Sequence, residues 1–270
     1  MNEPLPADLL VIWIIGAALA GLLFGSFLNV CIYRIPRDLS VVAPRSFCPE
    51  CGKQIAWYDN VPILSYALLR GVCRHCGHRI GLRYPLVELM TAALFGWAAG
   101  RYGYTIETFK WVVFEAILIA LFWIDLEERL LPDELTLGGT VAGLCFAVFV
   151  AAPGLLGDLL LSGPHPAWRS LLNAVLGGVL LAVPLWLIGA AYRRLRRREG
   201  LGFGDVKLVL LIGIYLGFEK GVIALMIGAV AGSVLGIIYI VLTRKDASTY
   251  ELPLGTFLCA GAMLVPLVFS

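Results

Sequence analysis

Residues Gly202–Leu242 read GFGDVKLVLLIGIYLGFEKGVIALMIGAVAGSVLGIIYIVL. Two apolar runs, 205–218 and 221–242, are parted only by a short break at Glu219 and Lys220. A helix needs about 20 mostly apolar residues to cross a bilayer core. The second run reaches that length and the first falls short of it. The stretch therefore reads as two consecutive membrane spans. It opens on two glycines, Gly202 and Gly204, followed by an ionisable residue, Asp205. A carboxylate in such a place is costly and marks a candidate functional position.

The rest of the chain agrees with a membrane reading. Of its 270 residues 60% are hydrophobic and 15% charged, and the mean hydropathy is +0.86. Soluble globular chains carry about 25% charge, so this composition argues against a soluble core. Six further stretches suit a span: 9–33, 84–100, 108–125, 134–152, 170–191 and 252–269. The expectation is an all-α polytopic membrane protein of about eight transmembrane helices with a small cytosolic zinc-binding loop domain. Pro184 does not veto its span, because neighbouring helices satisfy a freed carbonyl. The first span has Glu3 and Asp8 but no Lys or Arg on its flank. Signal peptides begin with a positive segment, so this one reads as a retained helix.

Lysines and arginines orient the bundle. With residue 1 outside, the inner connections 34–83, 126–133, 192–204 and 243–251 hold 8, 1, 5 and 2 of them. Lys207 joins that side, and only Arg101, Lys110, Arg169 and Lys220 fall on the other. Both termini are thus expected on the extracytoplasmic face. The run YRRLRRRE, Tyr192–Glu199, suits a topology anchor on anionic lipid. No nucleic-acid partner is expected.

The one sizeable polar piece, 34–83, contains CPEC (Cys48, Cys51) and CRHC (Cys73, Cys76). Two CxxC pairs at this separation match a zinc-binding pattern. Four thiolates close a tetrahedral site and leave no open position, so the ion is structural. A reducing cytosolic side argues against disulfides, and no thioredoxin-like pattern surrounds the motifs. His75 and His78 read as solvated loop residues. Cys31, Cys145 and Cys259 read as small hydrophobes in apolar helices.

A second acid shares the doorway of Asp205. The span containing FKWVVFEAILIALFWID ends at Asp125. Phe109 to Asp125 covers roughly 24 Å of helix against a bilayer core of about 30 Å, which puts Asp125 at the cytosolic boundary. Two helices of opposite direction thus bring Asp125 and Asp205 to one depth and one face. Two carboxylates held close cannot both ionise easily. The charged one suits a general base acting on water, and the protonated one polarises a carbonyl or protonates a leaving amine. Gly202 and Gly204 leave room for a substrate backbone. Lys207 is close in sequence and a candidate to favour ionisation of one acid. The bland alternatives are an N-cap for Asp205 and a solvated acid for Asp125. Asp133, after Leu131–Pro132, suits an N-cap better than catalysis. Glu115 sits mid-span, and Glu88 faces either the cytosol or a polar pocket. No HExxH or Walker A pattern appears. His165, the one histidine outside the cysteine loop, lies on the opposite face.

Several motifs together carry a resemblance: GSFLNVCIYRIP (Gly25–Pro36), the paired CxxC loop with WYDNVPILSY (Trp57–Tyr66), RYPLVE (Arg83–Glu88), WIDLEERLLPDELT and GFGDVKL. The chain resembles the type IV prepilin peptidases, membrane aspartic proteases of the GxGD group. The resemblance implies cleavage of type IV prepilins, or pseudopilins of type II secretion, after a glycine that ends a short basic leader. It implies N-methylation of the new first residue with S-adenosylmethionine, in the bacterial inner membrane with the site facing the cytosol. It assigns Asp125 and Asp205 as the catalytic pair and Cys48, Cys51, Cys73 and Cys76 to Zn2+. Where family members often carry PFGPF, this chain reads PLGTF (Pro253–Phe257), so Leu254 and Thr256 depart from the pattern. No glycine-rich fingerprint marks a pocket for the methyl donor. The expected organisation is a first helix (1–33), a cytosolic four-cysteine zinc loop associated by resemblance with methyl transfer (34–83), and a peptidase core (84–270). A transporter is the rival reading, but its acids belong near the midplane and its halves repeat. A membrane scaffold with a partner-binding cysteine loop would leave the acids without a task.

Overall fold

The structure is a computed structural model that describes residues 6–150, 166–197, 202–243 and 252–269. His165, Arg198, Glu199 and the basic pair Arg244–Lys245 lie outside the described residues. The described residues are helical apart from turns and two isolated bridges in the cysteine loop. In chain order the helices are α1 (Ala7–Arg34), the short α2 (Leu64–Leu68), α3 (Arg83–Tyr102) and α4 (Ile106–Glu128). They continue with α5 (Asp133–Phe149), α6 (Pro166–Arg196), α7 (Phe203–Thr243) and α8 (Leu254–Val268).

Each apolar stretch coincides with a helix, and two of them share one. The runs 205–218 and 221–242 form the 41-residue α7, interrupted at Gly217 with φ 76° and ψ 179°. Only glycine adopts that backbone without strain. Among the described residues three helical segments are long and apolar enough to cross a membrane, 7–37, 167–196 and 203–243, and α8 is a shorter apolar helix. Their outward faces are apolar: Ile12, Leu19 and Leu23 on α1, and Val230, Ile237 and Val241 on α7, are all exposed. A helix face that exposes rows of large aliphatics is covered by lipid rather than water. α4 meets the length but carries Lys110, Glu115 and Asp125 along it. Its ionisable groups are therefore turned into protein: Lys110, Glu115 and Asp125 are all buried.

The chain divides into two units, residues 1–120 and 121–270. In the first, α1 packs along α3. Small residues allow the approach: a Cβ at Gly25 would lie 2.6 Å from Glu88 Cα. Close backbone contact of this kind is how helices associate where no hydrophobic force separates them from lipid. In the second unit α7 packs against α5, α6 and α8. There the Gly213 position faces the Gly177 backbone, with an added Cβ only 2.5 Å from the Gly177 carbonyl oxygen.

Helix starts revise two sequence readings. Asp133 is the first residue of α5, with Pro132 at the N-cap and no side-chain cap. Asp205 lies in the first turn of α7, two residues inside its start. Neither acid caps its helix as the bland reading had it. Acidic residues in a first turn still favour the helix dipole.

Candidate active site and metal centre

The cysteine loop folds as two matching turns. In the first, Gly52 N–H donates to the Cys48 carbonyl at 2.9 Å and Cys48 N–H to Lys53 O at 2.9 Å. In the second, Gly77 N–H donates to Cys73 O at 2.9 Å and Cys73 N–H to His78 O at 2.8 Å. Both glycines take positive φ, 68° and 70°, which lets the chain reverse just after each second thiol. The four Sγ atoms of Cys48, Cys51, Cys73 and Cys76 lie within 4.8 Å of one another. Cys48 and Cys76 sulfurs are 3.9 Å apart. Zn–S bonds of about 2.3 Å in a tetrahedron place sulfurs about 3.8 Å apart, so the donor set fits a structural zinc ion. Neither His75 nor His78 joins the cluster.

Backbone N–H groups of Cys76 and His75 pull the Cys73 thiol down to about 6. At Cys76 the His78 N–H pulls downward, but desolvation and the sulfurs of Cys73, Cys51 and Cys48 outweigh it and push the thiol up to about 12. Crowded sulfurs are what a divalent cation would reconcile. Arg74 braces this loop with a two-pronged pair to Asp59, Nε to Oδ2 at 2.7 Å and Nη2 to Oδ1 at 2.6 Å. The Arg74 hydrogen bond holds the Asp59 carboxyl below its usual range.

The two sequence-nominated acids meet in the second unit. α4 ends in a left-handed residue, Arg129 (φ 55°), whose N–H donates to the Asp125 carbonyl at 2.9 Å. Asp125 is thus the last inward-facing acid of α4, and it is only 5% exposed. Its Oδ2 accepts the Thr256 backbone N–H at 2.6 Å and the Thr256 hydroxyl at 2.9 Å. A Cβ at Gly255 would meet Asp125 Cγ at 3.0 Å and Leu131 Cδ1 at 3.1 Å. The same Leu131 stands 3.1 Å from a Cβ built on Gly204. Asp205, half-buried, lies within the electrostatic reach of Asp125. A Cβ on Gly202 would approach Asp205 Oδ2 at 3.2 Å. The starts of α7 and α8 and the end of α4 thus converge on one pair of carboxylates.

Lys207 is placed differently. Its ammonium pairs with Asp133 and lies over the Phe203 ring, 5.0 Å from the centroid. It ties the start of α7 to the start of α5. Glu88 turns out to be buried and accepts the Ile63 N–H at 2.7 Å, so of the two alternatives it takes the polar pocket. Thr256 and Gly255 were not nominated as site residues. The one cue to them is the PLGTF segment, where Gly255 keeps the family pattern and Thr256 departs from it at the mouth of an apolar helix. Cys31 and Cys259 are buried as expected, while Cys145 is exposed.

One buried and one half-buried acid at helix ends, and four thiols able to hold a metal ion, are features an enzyme of the membrane would carry. Comparison with known proteins agrees. Residues 19–102 match the bacterial peptidase A24 N-terminal domain, and residues 112–241 match the type IV leader peptidase family. The chain is 36% identical over 246 residues to a prepilin leader peptidase/N-methyltransferase of Neisseria gonorrhoeae, covering 82% of this chain and 80% of the relative. It is 32% identical over 263 residues to the protein of that name in Pseudomonas aeruginosa, covering 89% and 85%. Against the relative of that name in Myxococcus xanthus it is 37% identical over 86% of this chain but only 64% of that protein's length. No solved structure matches. The chain belongs to the type IV leader peptidase family and is an enzyme of the prepilin peptidase class.

Proposed function

We propose that this chain is a multi-pass, eight-span protein of the bacterial inner membrane that cleaves type IV prepilins or type II secretion pseudopilins. It cuts after the glycine that ends a short basic leader, at the cytosolic face, and then N-methylates the new terminus with S-adenosylmethionine. The observation that carries this reading is the convergence of Asp125 and Asp205 from separate helices.

The chain's own groups suit hydrolysis without a covalent intermediate. Asp125 accepts two hydrogen bonds at Oδ2, which fixes its plane and suits it to the charged, proton-accepting role. It takes a proton from water as the water oxygen bonds to the scissile carbonyl carbon. Asp205, the protonated partner, donates to the carbonyl oxygen. When the C–N bond breaks, the departing amine takes up a proton from the dyad. Gly202 and Gly204 carry no side chain to obstruct the substrate backbone. Lys207 holds the mouth of α7 in place through Asp133. Glu127 and Glu128, exposed at the end of α4, attract a basic leader. The four cysteines hold a structural zinc that shapes the 34–83 loop. S-Adenosylmethionine, when bound, supplies an electrophilic methyl group to the freed amine.

The test is processing of a prepilin whose leader lysines and arginines are replaced by glutamates. The reading expects cleavage to be abolished. Processing at the unmodified rate would contradict it.

A further inference from the structure

We propose that the segment Trp57–Leu68, within the polar loop, is a foot that inserts Trp57, Leu64 and Leu68 into the boundary between headgroups and acyl chains of an anionic lipid leaflet. Neither proposed reaction enters into this; it needs only that α1 crosses the bilayer.

The turn Trp57–Asn60 and helix α2 are locked together. Val61 N–H donates to Ser65 Oγ at 3.0 Å, and that hydroxyl donates to the Tyr58 carbonyl at 2.9 Å. Ser65 is only 6% exposed, and the Tyr66 hydroxyl is held by the Ile80 carbonyl at 3.3 Å. Leu64, Ala67 and Leu68 share another face of α2, at spacing i, i+3 and i+4, and all three are exposed. Trp57 is 72% exposed, Leu64 56% and Leu68 74%. A helix on a water-facing surface turns its polar side out, whereas α2 turns its hydroxyls inward and its leucines outward. Exposed apolar patches of this kind mark interaction surfaces, membranes among them. Trp57 and Tyr58 beside the leucines are the residue types that line membrane–water boundaries.

Depth agrees with composition. About 20 residues cross the bilayer core, and twenty counted along α1 from Leu9 end at Leu28. A Cβ at Gly25 of α1 would lie 2.6 Å from Glu88 Cα, and Glu88 accepts the Ile63 N–H at 2.7 Å. Helix α2 therefore starts near the depth of Gly25, at the expected edge of the core. It does not hang beyond Arg34 at the end of α1, which lies about 14 Å further along the helix. Phe24 and Phe27 are exposed on α1 at that level, so the lipid that covers them lies level with α2. Charge selects the kind of lipid. Residues 34–83 hold eight Lys and Arg against three acids, Asp38, Glu50 and Asp59. A zinc ion on four thiolates would still leave the loop net positive. Such a surface attracts anionic headgroups and repels the basic leader of the proposed substrate.

The test puts the photoreactive residue p-benzoylphenylalanine in place of Leu68, an exposed position, in the full chain. The protein is held in nanodiscs of phosphatidylcholine and phosphatidylglycerol. Illumination is expected to give a phospholipid adduct as the main product, read by mass spectrometry. The absence of a lipid adduct, or transfer of the crosslink to a prepilin added in excess, would overturn the proposal. Hydrogen exchange on the unmodified chain supplies a readout that needs no variant. Amides of residues 63–70 are expected to exchange about fivefold or more slowly with phosphatidylglycerol present than in phosphatidylcholine alone, the effect of one basic side chain at an anionic surface. Equal exchange in the two discs would overturn the preference for anionic lipid.

Discussion

Thr256 donates twice to one carboxylate oxygen across 131 residues of sequence, and this contact orients Asp125, one half of the proposed dyad. Its backbone N–H survives any side-chain change except proline, so the hydroxyl is the separable part. Replacing Thr256 by Val should lower kcat about tenfold with KM nearly unchanged, since one hydrogen bond to a charged group contributes about 1.5–3 kcal/mol. Thr256→Ser should restore the rate. Steady-state kinetics on a prepilin peptide would check both, and a Val variant as fast as wild type would remove Thr256 from the site. Asp125 and Asp205 were legible in the sequence because acids at span ends are few and their depths could be counted along helices. Thr256 was not, because a threonine at a helix start looks like an ordinary residue until its distant partner is seen. Lys207 misled for the opposite reason: nearness in sequence to Asp205 suggested a shared task, whereas its ammonium points to Asp133.

At the scale of elements, the cysteine loop was the most readable part of the chain. Tetrahedral coordination demands four sulfurs at fixed separations, and paired CxxC turns deliver them from local sequence alone. Cys48→Ser should therefore cut bound zinc to well below one ion per chain, measured by metal analysis of the purified protein. It should also loosen the 34–83 loop to proteolysis, because closed zinc sites contribute folding energy. Retention of a full equivalent would count against the four-thiol site. The packing of α1 on α3 was less legible. GSFLNV reads simply as part of an apolar span, and nothing local says that Gly25 meets the Glu88 backbone. Gly25→Leu should destabilise the protein by about 1–3 kcal/mol or more, the usual range for overpacking, and lower the unfolding temperature in detergent. An unchanged melting temperature would mean that α1 and α3 do not pack as described.

For the whole molecule, composition alone separated membrane from soluble classes, and the all-helical architecture follows from the bilayer's demand that backbone groups be satisfied internally. The number of spans was harder to read. A bend at Gly217 leaves two apolar runs inside one element, and α4, which carries Lys110, Glu115 and Asp125, is not among the three described segments apolar enough to cross. Such charges lower the apparent hydropathy of the helices that carry the site. The sidedness of Lys and Arg gives the orientation a direct check. An impermeant maleimide should label a cysteine placed at Tyr104 in intact cells with the outer membrane opened. It should reach one placed at Arg196 only after the inner membrane is permeabilised. The reverse pattern would invert the proposed topology and with it the proposed cytosolic placement of the site.

Everything at the three scales meets in one claim, that two carboxylates from α4 and α7 cut the leader together. The most direct measurement is cleavage of a prepilin by purified wild type, Asp125→Asn and Asp205→Asn, with zinc content and thermal unfolding recorded for each. The account predicts that both variants fold, keep their zinc and lose cleavage by at least about a thousandfold, as expected when members of one catalytic unit are removed. Substantial cleavage by either folded variant would contradict the dyad.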